Sequence, residues 1–317
     1  LSVPVGISVG LAAAVGVYAF TKLPLLIVVQ QLFIAVDKFP LVAVPFFILA
    51  GNVMERAGIS QRLVDFAKAL VGGLRGGLAV TCVLTCMIFA AISGSSVATT
   101  FAIGAILIPA LKSHGYPPTY AASLQATSAE LGVVIPPSIP MILYGVSAEV
   151  SIGELFIAGI VPGLFIAASL MFFVWVWCKI KGWGKQDGEG RLGVIPATWQ
   201  AGWALLMPVI ILGGIYGGIF TPTEASAVAV FYALIVGMLI YREIKPSDLY
   251  RALRKSVISS AVIMFIIANA GMFAFLLTRA GVPDAIGHWL EAVLQSPALF
   301  LLGVNAALFF IGMFIET

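Results

Sequence analysis

Four small residues, Ser93-Gly94-Ser95-Ser96, interrupt an apolar stretch, and they restrict what this chain can fold into more than any other feature. Upstream, residues 77–92 (GLAVTCVLTCMIFAAI) are suited to lipid. At about 1.5 Å per residue they reach only partway across a hydrocarbon core of about 30 Å. Downstream, Val97 to Leu111 is apolar again and ends at Lys112 and His114. Two half-length helices meeting at a serine-glycine tip predict a re-entrant hairpin over residues 77–112. Non-helical backbone at membrane depth is tolerated only inside protein or against a polar cavity, so the tip has to face protein, water or a ligand. The competing reading is one long helix kinked at Gly94, because serine and glycine also occur at kinks and helix contacts.

Composition decides the class. With 61% hydrophobic and 10% charged residues, and with repeated long apolar runs, the chain is an all-α integral membrane protein rather than a soluble domain. The formal charge of +3 is too small to indicate nucleic acid, and the basic residues sit in separate short stretches, not in one patch. Cys82, Cys86 and Cys178 all lie in apolar runs with no histidine or carboxylate beside them in sequence, which points to packing and away from a metal or a disulfide. The first residue is not Met, and no charged leader or cleavage signal precedes the first apolar stretch, so the start reads as a truncation and not as a signal peptide.

In chain order, Ser2 to Phe20 is a plausible span, Leu25 to Val36 is too short to cross unaided, and Pro40 to Met54 is a further membrane helix. Gln61 to Val71 sets Leu63, Phe66, Ala67 and Leu70 against Gln61, Arg62, Asp65 and Lys68, the pattern of an interfacial helix. After the hairpin, the apolar run Tyr120 to Leu131 ends in G-V-V-I-P-P-S and resumes as Ile139 to Val146. Pro136 and Pro137 remove two backbone donors and bias the preceding residues away from helix, so this crossing is discontinuous over 119–147. Further spans are expected at Leu155 to Cys178, Trp203 to Phe220, Ala225 to Tyr241 and Val257 to Leu277, with a basic loop from Arg242 to Lys255. Lys and Arg concentrate in 56–75, 179–191 and 242–255, which the positive-inside rule places in the cytoplasm.

A repeat is visible. The stretch E-R-A-G-I-S-Q-R-L-V-D-F-A-K-A-L-V from Glu55 recurs as T-R-A-G-V-P-D-A-I-G-H-W-L-E-A-V-L from Thr278, 223 positions later. The first copy carries Arg62 and Lys68, the second Asp284 and Glu291, so the two are expected on opposite faces, as in an inverted-repeat transporter fold. Chance similarity between two amphipathic segments is the alternative. The same offset carries Ser93 to Glu316, so the chain ends where a second hairpin tip is expected. The resulting division is 1–76 scaffold helices and interfacial arm, 77–150 transport domain, 151–202 connecting helix and cytoplasmic loop, 203–297 second scaffold and arm, and 298–317 first arm of the second hairpin.

The motifs I-S-G-S-S-V-A-T-T, H-G-Y, L-G-V-V-I-P-P-S-I-P-M-I-L-Y-G and F-T-P-T-E-A, in that order, resemble the large membrane subunit of tripartite ATP-independent periplasmic (TRAP) transporters over nearly the whole chain. The resemblance implies an ion-transporter fold of elevator type, in the bacterial cytoplasmic membrane, with re-entrant hairpins and broken helices. It implies import of organic acids, such as C4-dicarboxylates or sialic acids, with sodium as coupling ion and no other cofactor. Its expected partners are a small membrane subunit, a periplasmic substrate-binding protein and membrane lipid. The C-terminus departs from the family pattern, since the rest of the second hairpin and the second broken helix are missing.

On that reading, unwound backbone supplies the oxygens sodium needs: Ser93, Gly94, Ser95 and Ser96 from the hairpin, and Gly132, Val133, Ile135 and Pro136 from the break. Ser96 and Ser138 start half-helices whose N-termini favour an anion, and with Thr99 they are the expected substrate contacts. The plainer alternative is that these serines only cap helices and the prolines only bend one. Glu130, Glu224 and Glu316 are candidate functional acids, each costing about 3 kcal/mol if charged at the bilayer centre. Glu224 reads equally well as a first-turn acid of its own helix. A channel or structural subunit is the runner-up function. A membrane-embedded enzyme would need a nucleophile with its base, a metal cluster or paired carboxylates at one depth, and the sequence offers none of these.

Overall fold

The computed structural model describes residues 3–184, 192–293 and 296–313, and every regular element among them is a helix. In chain order these begin with α1 (Val5–Phe20), α2 (Leu26–Val36), α3 (Ala43–Arg56, entered through a 3-10 turn at Phe39–Val42), α4 (Ile59–Val71), α5 (Gly77–Ser93) and α6 (Ser96–Ser113). There follow α7 (Pro118–Ala129), the single turn α8 (Leu131–Val134), α9 (Ile139–Ser147), α10 (Ile152–Lys181) and α11 (Val194–Tyr216). The last are α12 (Pro222–Leu234, prolonged by a π-helical segment to Ile240), α13 (Pro246–Arg279), α14 (Val282–Val293) and α15 (Pro297–Gly312). Among the described residues, six helical segments are long and apolar enough to cross a membrane, or seven if the bent pair Pro118–Val134 and Ile139–Ser147 is one span. Two compact units emerge, Phe39–Ser260 and Leu1–Lys38 with Ala261–Thr317.

In the larger unit the hairpin is decided by one side chain. Cys82 of α5 donates to Gln125 Oε1 (3.1 Å), while Gln125 Nε2 donates to the Thr99 carbonyl of α6 (3.3 Å). In a continuous helix Cys82 and Thr99 would stand about 25 Å apart. Meeting at one amide, they require α5 and α6 to fold back side by side, so a helix kinked at Gly94 is excluded. The arms are longer than their apolar runs: α5 has 17 residues and α6 has 18, and α6 alone is long enough to cross. Counting only unbroken apolar letters omitted Ser96 and the Lys112-Ser113 end, which extend α6 at both termini.

Elsewhere in this unit α3 packs on α12, and Asn52 Nδ2 donates to Ser256 Oγ at 2.8 Å in a buried contact. Helix α4 buries Leu63, Val64 and Ala67 under neighbouring helices and leaves Leu70 exposed. Its Arg62 stacks over the Tyr241 ring (3.9 Å) and pairs with Glu243 (2.6 Å), which ties α4 to the chain leaving the π-helical segment. The stretch Arg242 to Lys255 is helical from Pro246 onward and not a loop. Pro246 suits the first helical position, and the Asp248 carboxylate accepts from the Lys245 N–H (3.3 Å). At the end of α10, Lys179 and Lys181 lie over Trp175 and Trp177, an aromatic-basic girdle of the kind found at a membrane surface.

The smaller unit centres on Ala13, Val17 and Met272, covered by Ile27, Leu32 and Leu276. Its part of α13 ends at Arg279 in a turn that reproduces the end of α3. Ala57 N–H donates to Val53 O and Ala280 N–H to Leu276 O, and the following glycines, Gly58 and Gly281, have φ of 66° and 70°. The repeated R-A-G thus has one local structure in both copies.

Candidate functional site

Both interruptions arise where the sequence withdraws helical hydrogen bonding, and they meet. Helix α5 stops at Gly94, which has φ 61° and donates to Ala90 O. Ser95 is extended and its hydroxyl caps α6 by accepting from the Ala98 N–H (3.3 Å). In the second interruption, Ile135 is extended and Pro136 and Pro137 follow without donors. Ser138 then caps α9 by accepting from the Met141 N–H (3.4 Å). The crossing bends by 44° there.

Direct backbone contact joins the two. Ile139 N–H donates to Gly94 O at 3.1 Å. A Cβ on Gly94 would lie 2.4 Å from the Pro137 carbonyl oxygen, in a left-handed conformation that already disfavours side chains. A Cβ on Gly132 would stand 2.8 to 3.0 Å from the Ser95–Ser96 peptide. Residues 93–96 and 132–138, about 40 positions apart in sequence, therefore form one buried locus, in which Ser93, Ser96 and Ser138 are at most 7% exposed.

The hydrogen bonds separate the expected ligands into two sorts. Thr99 is fully buried inside the hairpin, where its hydroxyl donates to Ser95 O (2.8 Å) and lies 3.2 Å from Ser93 Oγ. Ser138 is equally buried and donates to Val133 O while accepting from Met141. Both therefore act as clasps of their own interruption, with their hydroxyl protons given to backbone carbonyls. The start of α9 is also occupied: Ile139 gives its N–H to Gly94, Met141 gives its own to Ser138, and Pro140 has none. Among the described residues no hydrogen bond reaches the carbonyls of Ile135 or Pro136, so these oxygens are available. Those of Gly94 and Val133 already accept one bond each.

Of the acids, Glu130 is exposed at the junction of α7 and α8. Glu224 completes a capping box, accepting from the Thr221 N–H and hydroxyl at 2.8 Å each, so the helix-capping reading accounts for it. Glu316 lies outside the described residues. Gln125, which sequence reasoning passed over, is the polar residue that unites α5, α6 and α7. Its signal was a lone long amide within an apolar half-helix.

The model of one family, the DctM component of tripartite ATP-independent periplasmic transporters, matches residues 1–317. The chain belongs to this family. Among TRAP relatives it is similar to the isethionate permease protein DctMQ of Oleidesulfovibrio alaskensis, with 42% identity over all of this chain and 50% of that protein. It is similar to the C4-dicarboxylate large permease protein DctM of Pseudomonas aeruginosa, 42% identical over 98% of this chain and 72% of the relative. It also resembles the sialic acid large permease protein SiaM of Vibrio cholerae, 35% identical over 91% and 67%. The chain thus spans half of the DctMQ relative and about seven tenths of the other two. TRAP permeases are inner-membrane transporter subunits and not enzymes, in keeping with the apolar helices of this chain.

Proposed function

We propose that this chain forms the ion- and substrate-handling part of a sodium-coupled TRAP importer for small organic acids. The acid would be delivered by a periplasmic binding protein, with a small membrane subunit beside or fused to this one, and carried by an elevator motion. The observation that carries the reading is the junction of the two interruptions, where Gly94 meets Pro137 and Ile139 and where Gly132 meets Ser95. Sodium requires oxygen donors, and the proposed set is the carbonyls of Ile135 and Pro136, supplemented by Ser93–Ser96, Gly132 and Val133. The anionic group of the substrate is assigned to the first turn of α6 at Ser96, because the donors of α9 are already used. Sulfonate, dicarboxylate and sialic acid relatives share an anionic headgroup and little else, which favours recognition by a helix terminus. An inward potential of ~100 mV supplies about 2.3 kcal/mol for each net charge imported.

The test is sodium-titrated uptake by the full-length subunit and its partners in proteoliposomes, comparing wild type with the S95A/S96A double variant. Losing a cap and two hydroxyls at the ion site should cost about 1 to 2 kcal/mol, raising the half-saturating sodium concentration about five- to thirtyfold. An unchanged sodium curve together with lowered thermal stability would leave these serines as caps and sink the ion-site assignment.

A further inference from the structure

The first turns of α13 and the last turn of α3 build a second site that the transport reading does not use. Arg251, Arg254 and Lys255 of α13 and Arg56 of α3 surround an open cavity of about 360 Å³, with Ile258 and Ser259 one turn further along. Two acids answer part of this charge: Glu55 pairs with Lys255 (3.1 Å) and Asp248 with Arg56 (3.7 Å). Among the described residues no carboxylate comes within ion-pair distance of Arg251 or Arg254. The positive-inside rule explains basic residues near a membrane surface, but it does not make four of them converge from two helices on one hollow.

The charge pattern of α13 sets the level of this hollow. Its charged residues Asp248, Arg251, Arg254 and Lys255 fall within the first ten positions, and the next is Arg279. Val257 and Ile258, which begin the apolar part, are 65% and 54% exposed. The cavity therefore sits where the helix passes from polar to apolar surroundings, at headgroup depth, with two uncompensated guanidinium groups above and bare aliphatic surface below.

We infer that this cavity holds the headgroup of an anionic glycerophospholipid, its phosphate between Arg251 and Arg254 and its acyl chains along Val257 and Ile258. Arginine is suited to this role, since its planar fork bonds two phosphate oxygens at once. A soluble phosphate ester would satisfy the arginines but gain nothing from the apolar side, which is why a lipid is the occupant of choice. The inference rests on α13 lying in a membrane and is independent of the ion site, so either can fail alone.

Native mass spectrometry of the detergent-purified full-length subunit tests it. Phosphatidylglycerol is titrated against phosphatidylcholine of the same chains, with glycerol phosphate as a soluble competitor. The wild type should retain phosphatidylglycerol at least tenfold more tightly than phosphatidylcholine, and R251Q/R254Q should abolish that preference while R251K/R254K keeps most of it. If the double glutamine variant loses its thermal transition, R251Q and R254Q are measured singly, each with an expected threefold loss. An undiminished preference in the glutamine variants overturns the site. Displacement of the lipid by equimolar glycerol phosphate overturns the lipid as its occupant.

Discussion

The hairpin tip and the broken helix face the same problem and answer it in opposite ways. Each leaves a helix in buried surroundings, where an unpaired backbone group costs about 1 to 3 kcal/mol. At the tip the chain turns in a left-handed Gly94, whose carbonyl is taken by the Ile139 N–H, and Ser95 accepts from the Ala98 N–H to start the next helix. At the break the donors are deleted, because Pro136 and Pro137 have none, while Ser138 supplies Val133 O with a replacement. A left-handed turn needs a residue able to adopt positive φ, whereas a donor-free stretch needs only proline. The tip is therefore the less tolerant of the two.

Substitutions can break that contrast. The largest effect is expected for Gly94→Ala, which combines left-handed strain of about 1 to 2 kcal/mol with a clash of its Cβ against the Pro137 carbonyl. We expect a total of about 3 kcal/mol or more and loss of the folded subunit, measured as thermal unfolding of the purified full-length protein. Gly132→Ala brings contact at 2.8 Å with Ser95 but no positive φ, so it should cost less, about 1 to 3 kcal/mol in the same assay. Should Gly132→Ala prove the more damaging, the tip would not be the stricter interruption.

Smaller effects sharpen the comparison. Pro137→Ala restores an N–H with no assigned acceptor and should destabilise by about 1 to 2 kcal/mol, with hydrogen exchange at position 137 reporting whether it finds one. The serine caps should rank by the number of bonds each makes. Ser138→Ala loses both the cap of α9 and the donor to Val133 O, whereas Ser95→Ala loses the cap of α6 alone. We expect about 2 and about 1 kcal/mol respectively from chemical denaturation of the single variants. Equal values would mean that the Val133 carbonyl finds another donor.

Both interruptions were legible because glycine, serine and proline act locally. Four small residues in a row at Ser93 to Ser96 and the paired Pro136-Pro137 weaken a helix more than the single prolines inside α6, α10 and α11 do, and the family motifs fall on the same residues. What depends on tertiary approach was not legible. Gln125 reads as an ordinary polar intrusion until α5 and α6 close on it, and nothing in the letters shows that the Thr99 and Ser138 hydroxyls also bond within the chain. The basic run after Arg242 read as a loop because charge was given more weight than the Pro246 and Asp248 start signals. Glu224 was ambiguous for the same reason, since a capping box and a functional acid share their letters until Thr221 is seen to engage both sides.

The Gln125 amide has a mechanical consequence. A hairpin free on its outer side behaves as a flap, hinged at its base and able to peel its tip away. Here α7 stitches the two arms together through contacts to Cys82 and to the Thr99 carbonyl. Opening the arms would strand those polar groups in apolar surroundings, at about 1 to 3 kcal/mol for each. The Gly94 and Ile139 bond fastens the tip to the start of α9 as well. The hairpin, α7 and the start of α9 are therefore cross-linked at both the arms and the tip, and this cluster resists being flexed apart.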